Sequence, residues 1–412
     1  MRRNAVLFVL ISLCSGFGSF AMGIAAGLWI LDLTGSAGLA AVAGLGTYLP
    51  VLAAPWLGAV VDRLPRRPLV ITVDLVISAA ILALLAAPSA LWIYPVLLIR
   101  GLSYVLLDAG ESALLPAALS PSMLGDVNGW RSSAQEGAKL VAPLAGAALY
   151  AWHGPQAVVL LCAALPLLTA AMYALVRFPR PAPAPATPAD ATTPEPTVAT
   201  LGWAGVRAGL TALWREPMRT PVRTAAVTIA VSGLTNAAVL LHLVGGLHRP
   251  ATDLGWLSSA QGAGSIAGGL VVGRLLARVT AARVAALGAT LFAVACVLWS
   301  LPWWPAMILG SVVTGVGLPW TLIAGITAIQ TGTPEHLLGR VAATGNLVMF
   351  GPISVAIPLG AALTALGPRP PLLLGAAASL AAALLASPVA RCGPTTDGEG
   401  DRGRPARRAG SR

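Results

Sequence analysis

Charge is what this sequence has least of. Only 10% of its 412 residues are Asp, Glu, Lys or Arg, against roughly 25% in soluble domains. Lysine is all but absent: Lys139 is the only one, and the other 25 of the 26 basic side chains are arginines. Cysteine is scarce as well. Cys14, Cys162, Cys296 and Cys392 stand far apart, three of them inside apolar runs, and no two have the spacing of a metal site or a disulfide framework. None of the four histidines is followed by Glu, so there is no HExxH metalloprotease signature. No GxSxG nucleophile elbow occurs. A P-loop needs Gly-Lys before Ser or Thr, whereas Lys139 follows Ala138. Composition and missing motifs together argue against an enzyme and imply no cofactor and no metal.

Apolar side chains fill the space. They make up 57% of the chain, and the mean hydropathy is +0.80. A membrane-crossing helix needs ~20 apolar residues, so twelve crossings would use ~240, close to that share. The 45 glycines and 33 prolines fit membrane helices, which tolerate both. Apolar runs fall at about 5–31, 38–61, 69–87, 91–115, 129–152 and 157–177, then at about 222–247, 254–273, 281–301, 303–330, 341–366 and 371–390. Lipid offers backbone groups no partner, so each run should be a helix. The first follows Arg2-Arg3 and is too long for a signal-peptide core, which makes it a retained first span.

The net charge of +11 would suit a nucleic acid, but its distribution does not. With the N-terminus in the cytoplasm, 22 arginines lie on the inner side, Arg249 and Arg369 lie outside, and Arg100 lies within a span. That asymmetry is the positive-inside signature. It places the chain in the cell (inner) membrane as a multi-pass protein, both termini cytoplasmic, with no nucleic-acid partner.

One long break divides the runs. Residues 1–177 read as an N-terminal six-helix bundle and 222–391 as a C-terminal one. Between them lies a cytoplasmic linker, 178–221, whose Pro/Ala/Thr-rich first part reads as disordered. The stretch from Leu201 to Arg219 has Leu201, Val206, Leu210, Leu213 and Trp214 on one helical face, the pattern of an amphipathic helix on the inner membrane surface. The tail, 392–412, is polar, Gly/Arg-rich and expected to be disordered. The halves also repeat. Gly58, Asp62, Arg63, Arg66 and Arg67 sit where Gly269, Gly273, Arg274 and Arg278 recur at an offset of 211, in the loop between the second and third span of each half. Two six-helix repeats with a site at midplane make a transporter plan.

These residues resemble the major facilitator superfamily, and the likeness covers nearly the whole chain. Gly58, Asp62, Arg63, Arg66 and Arg67 match its loop signature G-x-x-x-D-R-x-x-R-[RK], with Pro65 in place of the usual glycine. The resemblance implies a gating role for this motif and its repeat, through charge contacts across the seam between the halves; the alternative is that these charges only set topology. Gly129, Ala138, Ala142, Pro143, Gly146 and Ala147 resemble the span-five antiporter motif, with two glycines changed to alanine. LDLTGSAGLA, RGLSYVLLDAGESALLPAAL and GRVAATGN are similar to segments of macrolide-efflux proteins and the enterobactin exporter, which implies export.

Ionisable groups within spans are functional candidates. Arg100, Tyr104, Asp108 and Glu111 have offsets of 0, 4, 8 and 11, which place them on one face of span four. Span five carries Glu136 and Lys139, at depths where Glu111 could face Glu136 and Asp108 could face Lys139. The set reads either as a proton-coupling site or as structural ion pairs. Spans seven to twelve hold no acid. Tyr104 and Asn236 are the candidates for substrate contact. Asp74 should partner Arg66 or Arg67, Asp32 should cap the end of span one, and His242 should be a helix–helix partner. Trp92, Trp152, Trp256, Trp299, Trp303 and Trp304 should anchor span ends at the interface.

The expected function is a monomeric secondary transporter in the lipid bilayer. It would export amphipathic small molecules (a drug, antibiotic or secondary metabolite) by proton antiport with alternating access. The alternatives are an importer or passive facilitator of a small solute, or a non-transporting membrane receptor of the same fold.

Overall fold

A computed structural model describes residues 2–53, 57, 61, 64–86, 89–178 and 203–386. Every regular element among them is helical. Gly58, Asp62 and Arg63 of the loop signature, most of the Pro-rich linker and the tail 392–412 lie outside these residues.

Nine helices among the described residues are long and apolar enough to cross a membrane, and three features bring the spans to twelve. The first is a reversal. Pro121–Leu175 runs as one 55-residue helical stretch except at Gly154, where φ is 75°. That value lies in the region only glycine enters freely, and here the chain turns back. Both limbs lie on span one, Arg2–Thr34. Ser12, Gly16, Ala21 and Asp32 meet Arg131, Ala138, Gly146 and Tyr150 in ascending order, whereas Gly18 and Arg3 meet Leu165 and Leu175 in descending order. Spans five and six are therefore antiparallel. The second feature is span eight, Leu254–Leu276. It is long enough, but Gly and Ser lower its hydropathy. The third is span two, which begins as the short pieces Ala37–Val42, Leu45–Tyr48 and Leu49–Ala53. Its break lies where spans two and four meet backbone to backbone: a Cβ on Gly101 would fall 1.9 Å from the Gly46 carbonyl oxygen.

The other crossings are span three at Arg66–Ala83, span four at Ala90–Ala118 and span seven at Arg219–Leu241, which continues as a π turn, His242–Gly246. Span nine is Ala281–Ser300, span ten Trp304–Gly332, and span twelve Arg369–Ala386. Span eleven is two helices, Glu335–Phe350 and Ile353–Leu363, parted at Gly351-Pro352. Alternation of the crossings puts Arg2, Arg66, Arg177, Arg219, Arg278 and Arg283 at one face and Arg249 and Arg369 at the other.

Each bundle has a large apolar cluster toward each face. In the N-terminal bundle Phe8, Ile11, Val70, Leu114 and Val127 pack near the arginine-rich face. Met22, Leu28, Ile30, Leu84 and Ile93 pack toward the opposite one. The C-terminal bundle repeats the arrangement around Met349 and Ile329 and around Phe292 and Met307.

The halves meet through small residues. A Cβ on Gly255 of span eight would stand 2.8 Å from Ala147 Cβ and 3.1 Å from the Pro143 carbonyl oxygen of span five, while within the N-terminal bundle one on Gly146 would stand 2.9 Å from Ala21 Cα. Ala142 is fully buried. The span-five motif thus packs spans one and eight at once, as small-residue interfaces do. Gly129 takes no part, since nothing lies within 4 Å of a Cβ there. Further contacts join Gly38 to Ala361, Gly44 to Ile357, Leu52 to Gly351 and Gly262 to Lys139. All of these run from midspan to the face opposite the arginines.

Several expectations change. Gly269, Gly273 and Arg274 are not in a loop. They form the last two turns of span eight, because neither glycine stops a helix whose leucines and valines continue its packing. Both glycines face open space. The segment after the linker forms a helix at Trp203–Leu213, shorter than expected, and it does not simply lie on lipid. Gly209 lets it approach Thr344 of span eleven, and Leu213 is fully buried with Val222 and Val341. Span seven starts at Arg219, three residues before the expected boundary at 222. Trp299 is no interface anchor: it is buried edge-on to Phe292, 6.1 Å between centroids, and donates to Ser311 at 3.2 Å.

Gly146→Ala should force spans one and five apart and lower stability by about 1–3 kcal/mol, seen as a lower melting temperature in detergent. Gly129→Ala has room for its methyl group and should be neutral or stabilising by up to about 1 kcal/mol. Equal behaviour of the two variants would contradict this packing.

Candidate functional site

Span four delivers its polar face as the spacing requires. Arg100, Tyr104, Asp108 and Glu111 all line a cleft of about 90 Å³ inside the N-terminal bundle, walled by spans one, three, four, five and six. It lies between that bundle's two apolar clusters.

At the end nearer the arginine-rich face, the Arg131 guanidinium holds three spans together. Its Nη2 stands 2.5 Å from Glu111 Oε2 on span four, and Nε donates to Ser12 Oγ on span one at 2.9 Å. Its Nη1 donates to Asn128 Oδ1 on its own helix at 3.3 Å. Its charge also reaches Asp108. Asp74 of span three is 2% exposed and accepts from Thr169 Oγ1 of span six at 2.7 Å. Tyr173, 3% exposed, closes this end beside both Glu111 and Asp74. Glu111 is 8% exposed, and its Oε1 has no hydrogen-bond partner.

The other end belongs to Arg100. Its Nη1 donates to the Ser19 carbonyl at 3.0 Å and its Nη2 to Thr47 Oγ1 at 3.4 Å, while Nε is buried without a partner. Among the described residues no carboxyl forms a salt bridge with it. Ile77, Ile81, Leu107, Leu165 and Tyr104 line the cleft along with the charges; Tyr104 remains 57% exposed.

The expected pairing of Glu111 with Glu136 and of Asp108 with Lys139 does not occur. Glu136 lies five residues beyond Arg131, about 140° around the helix at 3.6 residues per turn, and so faces span eight. There Lys139 Nζ contacts Glu136 Oε1 at 2.6 Å, and Ser265 donates to Glu136 Oε2 at 3.2 Å across the seam. Asp74 pairs with Thr169 of span six rather than with Arg66 or Arg67, which start its own helix about two turns away. Arg67 instead donates to the Ala174 carbonyl and lies over the Phe178 ring, 5.9 Å from its centroid. Asp32 accepts from Tyr150 at 2.5 Å instead of capping. The next helix is capped by Ser36, which accepts from Leu39 N at 3.3 Å. Asn236 is exposed but does not line the cleft; it lies one turn from Leu240, which packs into the N-terminal bundle. His242 is a helix–helix partner, its Nε2 3.0 Å from the Leu301 carbonyl oxygen.

Arg131 and Asp74 are the residues that sequence reasoning placed elsewhere. The apolar run of span five begins near 129, which makes Arg131 look like an end charge. The helix begins at Pro121 after Ser120. Serine followed by proline is a helix-start signal, and it sets Arg131 ten residues deep.

The sequence matches the family model of the Major Facilitator Superfamily over residues 8–236 and 224–409. The chain belongs to that superfamily. Its members are secondary transporters, and the twelve-helix, two-bundle architecture is theirs. No curated protein matches the chain. Among solved structures, a point mutant of the nucleoside transporter NupG is similar at 15% identity and TM-score 0.70, covering 93% of this chain and 98% of that one. The POT family transporter PepTSo follows at 12% and 0.69, covering 94% and 97%. A bacterial homologue of the human lysosomal transporter Spinster, inward-facing and unoccupied, gives 15% and 0.65, covering 93% and 96%. At these identities the likeness is one of fold.

Removing one member of a buried ion pair strands the other, at a cost of about 3–5 kcal/mol. Arg131→Met should therefore destabilise the protein by about that much, and Glu111→Leu added to it should recover most of the loss. A melting-temperature cycle over the single and double variants checks this; strictly additive losses would show that the two side chains do not interact.

Proposed function

We propose that this superfamily member is a proton-driven exporter of amphipathic small molecules, working by alternating access. One observation carries the reading: a cleft within the N-terminal bundle gathers three carboxyls, Asp74, Asp108 and Glu111, against two arginines, Arg100 and Arg131. A surplus carboxylate in a low-dielectric span is costly, and one proton balances the set. That proton can leave when the cleft is hydrated from one side or when a substrate brings its own charge. Arginine cannot serve as the carrier, since it stays protonated; Arg131 instead holds Glu111 and attracts Asp108. The Glu136–Lys139 pair then belongs to the seam, not to the proton.

The positive-inside asymmetry supports a cytoplasmic arginine-rich face in the cell membrane. The seam contacts toward the opposite face fit a cavity that opens to the cytoplasm, where an exporter loads. The span-five packing of Pro143 and Gly146 against both span one and span eight favours an antiporter-like exchange, in which the halves rock about that contact. An importer or passive facilitator is the competing reading; a nucleoside transporter and POT family transporters share the fold.

In inverted membrane vesicles an acid-inside gradient should drive substrate accumulation, and an uncoupler should abolish it. Asp108→Asn, Glu111→Gln and Asp74→Asn, made singly, should identify the carrier as the variant that loses uphill transport but keeps counterflow exchange. Uphill transport surviving in all three would overturn coupling through this cleft. Accumulation only in right-side-out vesicles would make the protein an importer.

A further inference from the structure

The cleft is polar at both ends and largely apolar between them, and its two ends differ in sign. Arg100 stands at one end with a buried, unpartnered Nε and no carboxylate partner among the described residues. At the other, Asp74, Asp108 and Glu111 line the cleft, where Arg131 pairs with Glu111 and its charge reaches Asp108. Among the described residues lining this end the carboxyls outnumber the arginine, so it is acidic when all are ionised. Glu111 is more than nine-tenths buried there, and its Oε1 has no partner. An unpaired acceptor and an unpaired donor, each inside one cleft, are both groups that a ligand can satisfy.

Depth along the spans orders the rest. Span one presents Ser12 at the Arg131 end and Ser19 at the Arg100 end. Span six presents Tyr173 and Thr169 at the acidic end and Cys162, which reaches the Gly18 carbonyl at 3.7 Å, toward Arg100. Ile77, Ile81, Tyr104, Leu107 and Leu165 lie at intermediate depth. On span four, offsets of 8 and 11 residues separate Arg100 from Asp108 and Glu111 by roughly 12 and 16 Å along the helix.

We propose that this cleft binds a zwitterionic amphiphile lengthwise, with its anionic group at Arg100, its cationic group at Glu111 and Asp108, and an apolar segment along the isoleucines and leucines between. The inference rests on the transport reading of the cleft and deepens it by naming the substrate class. Arg100 suits a carboxylate or phosphate, which a guanidinium engages through directed N–H donors. The acidic end suits an ammonium. With its carboxyls in excess of arginine it accepts an ammonium at Glu111 and still has a carboxyl for a proton, so occupancy by substrate and by proton are linked through the same side chains. A ligand with one charge complements one pole and leaves the other unsatisfied.

The test uses the full chain in lipid nanodiscs with no gradient and reads binding as a rise in melting temperature over a concentration series. The probes are ω-aminooctanoate, octanoate, octylamine and neutral octanamide, alike in chain length. Ω-aminooctanoate should bind at least about tenfold more tightly than octanoate or octylamine, since each charge-assisted contact is worth about that factor. The short γ-aminobutyrate, which cannot reach both poles, should bind no better than the singly charged probes. Arg100→Gln should erase the preference for ω-aminooctanoate over octylamine, and Glu111→Gln its preference over octanoate. The unmodified protein decides even where a variant does not fold: equal affinity for ω-aminooctanoate and either singly charged probe, or binding of none of them, overturns the proposal. The correct charge dependence without uncoupler-sensitive transport would instead overturn proton coupling and leave the zwitterion site standing.

Discussion

The architecture of the N-terminal bundle turns on one guanidinium. Arg131 reaches Glu111 on span four and Ser12 on span one from its place on span five, and its charge extends to Asp108. A charge at this depth is tolerated only if it is paired and hydrogen-bonded, so the three helices are held in a fixed register around it. Asp74, Thr169 and Tyr173 close the same polar layer from spans three and six. The apolar clusters above and below keep that layer narrow. A polar layer between two apolar ones lets ionisable groups sit in a membrane protein with their hydrogen-bonding needs met.

Movement of the halves needs a different kind of contact. The seam is built on glycine and alanine, with backbones close enough that several Cβ atoms would fall under 3 Å from their neighbours. Larger side chains also cross the seam, Leu240 of span seven packing into the N-terminal cluster and Tyr48 of span two against the C-terminal one. The polar link from Ser265 to Glu136 sits on this seam, with Lys139 neutralising the carboxylate on the same helix. The N-terminal bundle therefore separates its charges in space, with one set inside the cleft and another pair at the seam. The C-terminal bundle offers no comparable charged layer among its described residues; apart from His242 its buried polar groups, such as Thr228, Thr235 and Ser379, are hydroxyls.

Much of this was legible in the sequence, because a bilayer imposes its rules locally. A run of ~20 apolar residues must be a helix in lipid whatever it packs against, so the spans, the two halves and the arginine asymmetry follow from composition and order alone. The single face shared by Arg100, Tyr104, Asp108 and Glu111 also follows, since helical periodicity fixes it without reference to neighbours. The role of Gly146 was foreshadowed by its motif. That Gly129, from the same motif, packs against nothing was not.

Pairing was decided only by the tertiary structure. Which cation meets Glu111 depends on where span five starts and how it is rotated: the helix begins at Pro121, about eight residues before its apolar run, and so sets Arg131 rather than Glu136 opposite Glu111. Which group meets Asp74 depends on the reversal at Gly154, which brings Thr169 of span six to its side. The amphipathic segment Trp203–Leu213 has the pattern of a helix for a membrane surface, yet Gly209 fits Thr344 of span eleven and Leu213 is buried with Val222 and Val341. Periodicity determines which way a side chain points from its own helix. Only the rotation, depth and contact of neighbouring helices determine what it meets, because those are set by the packing of the whole bundle.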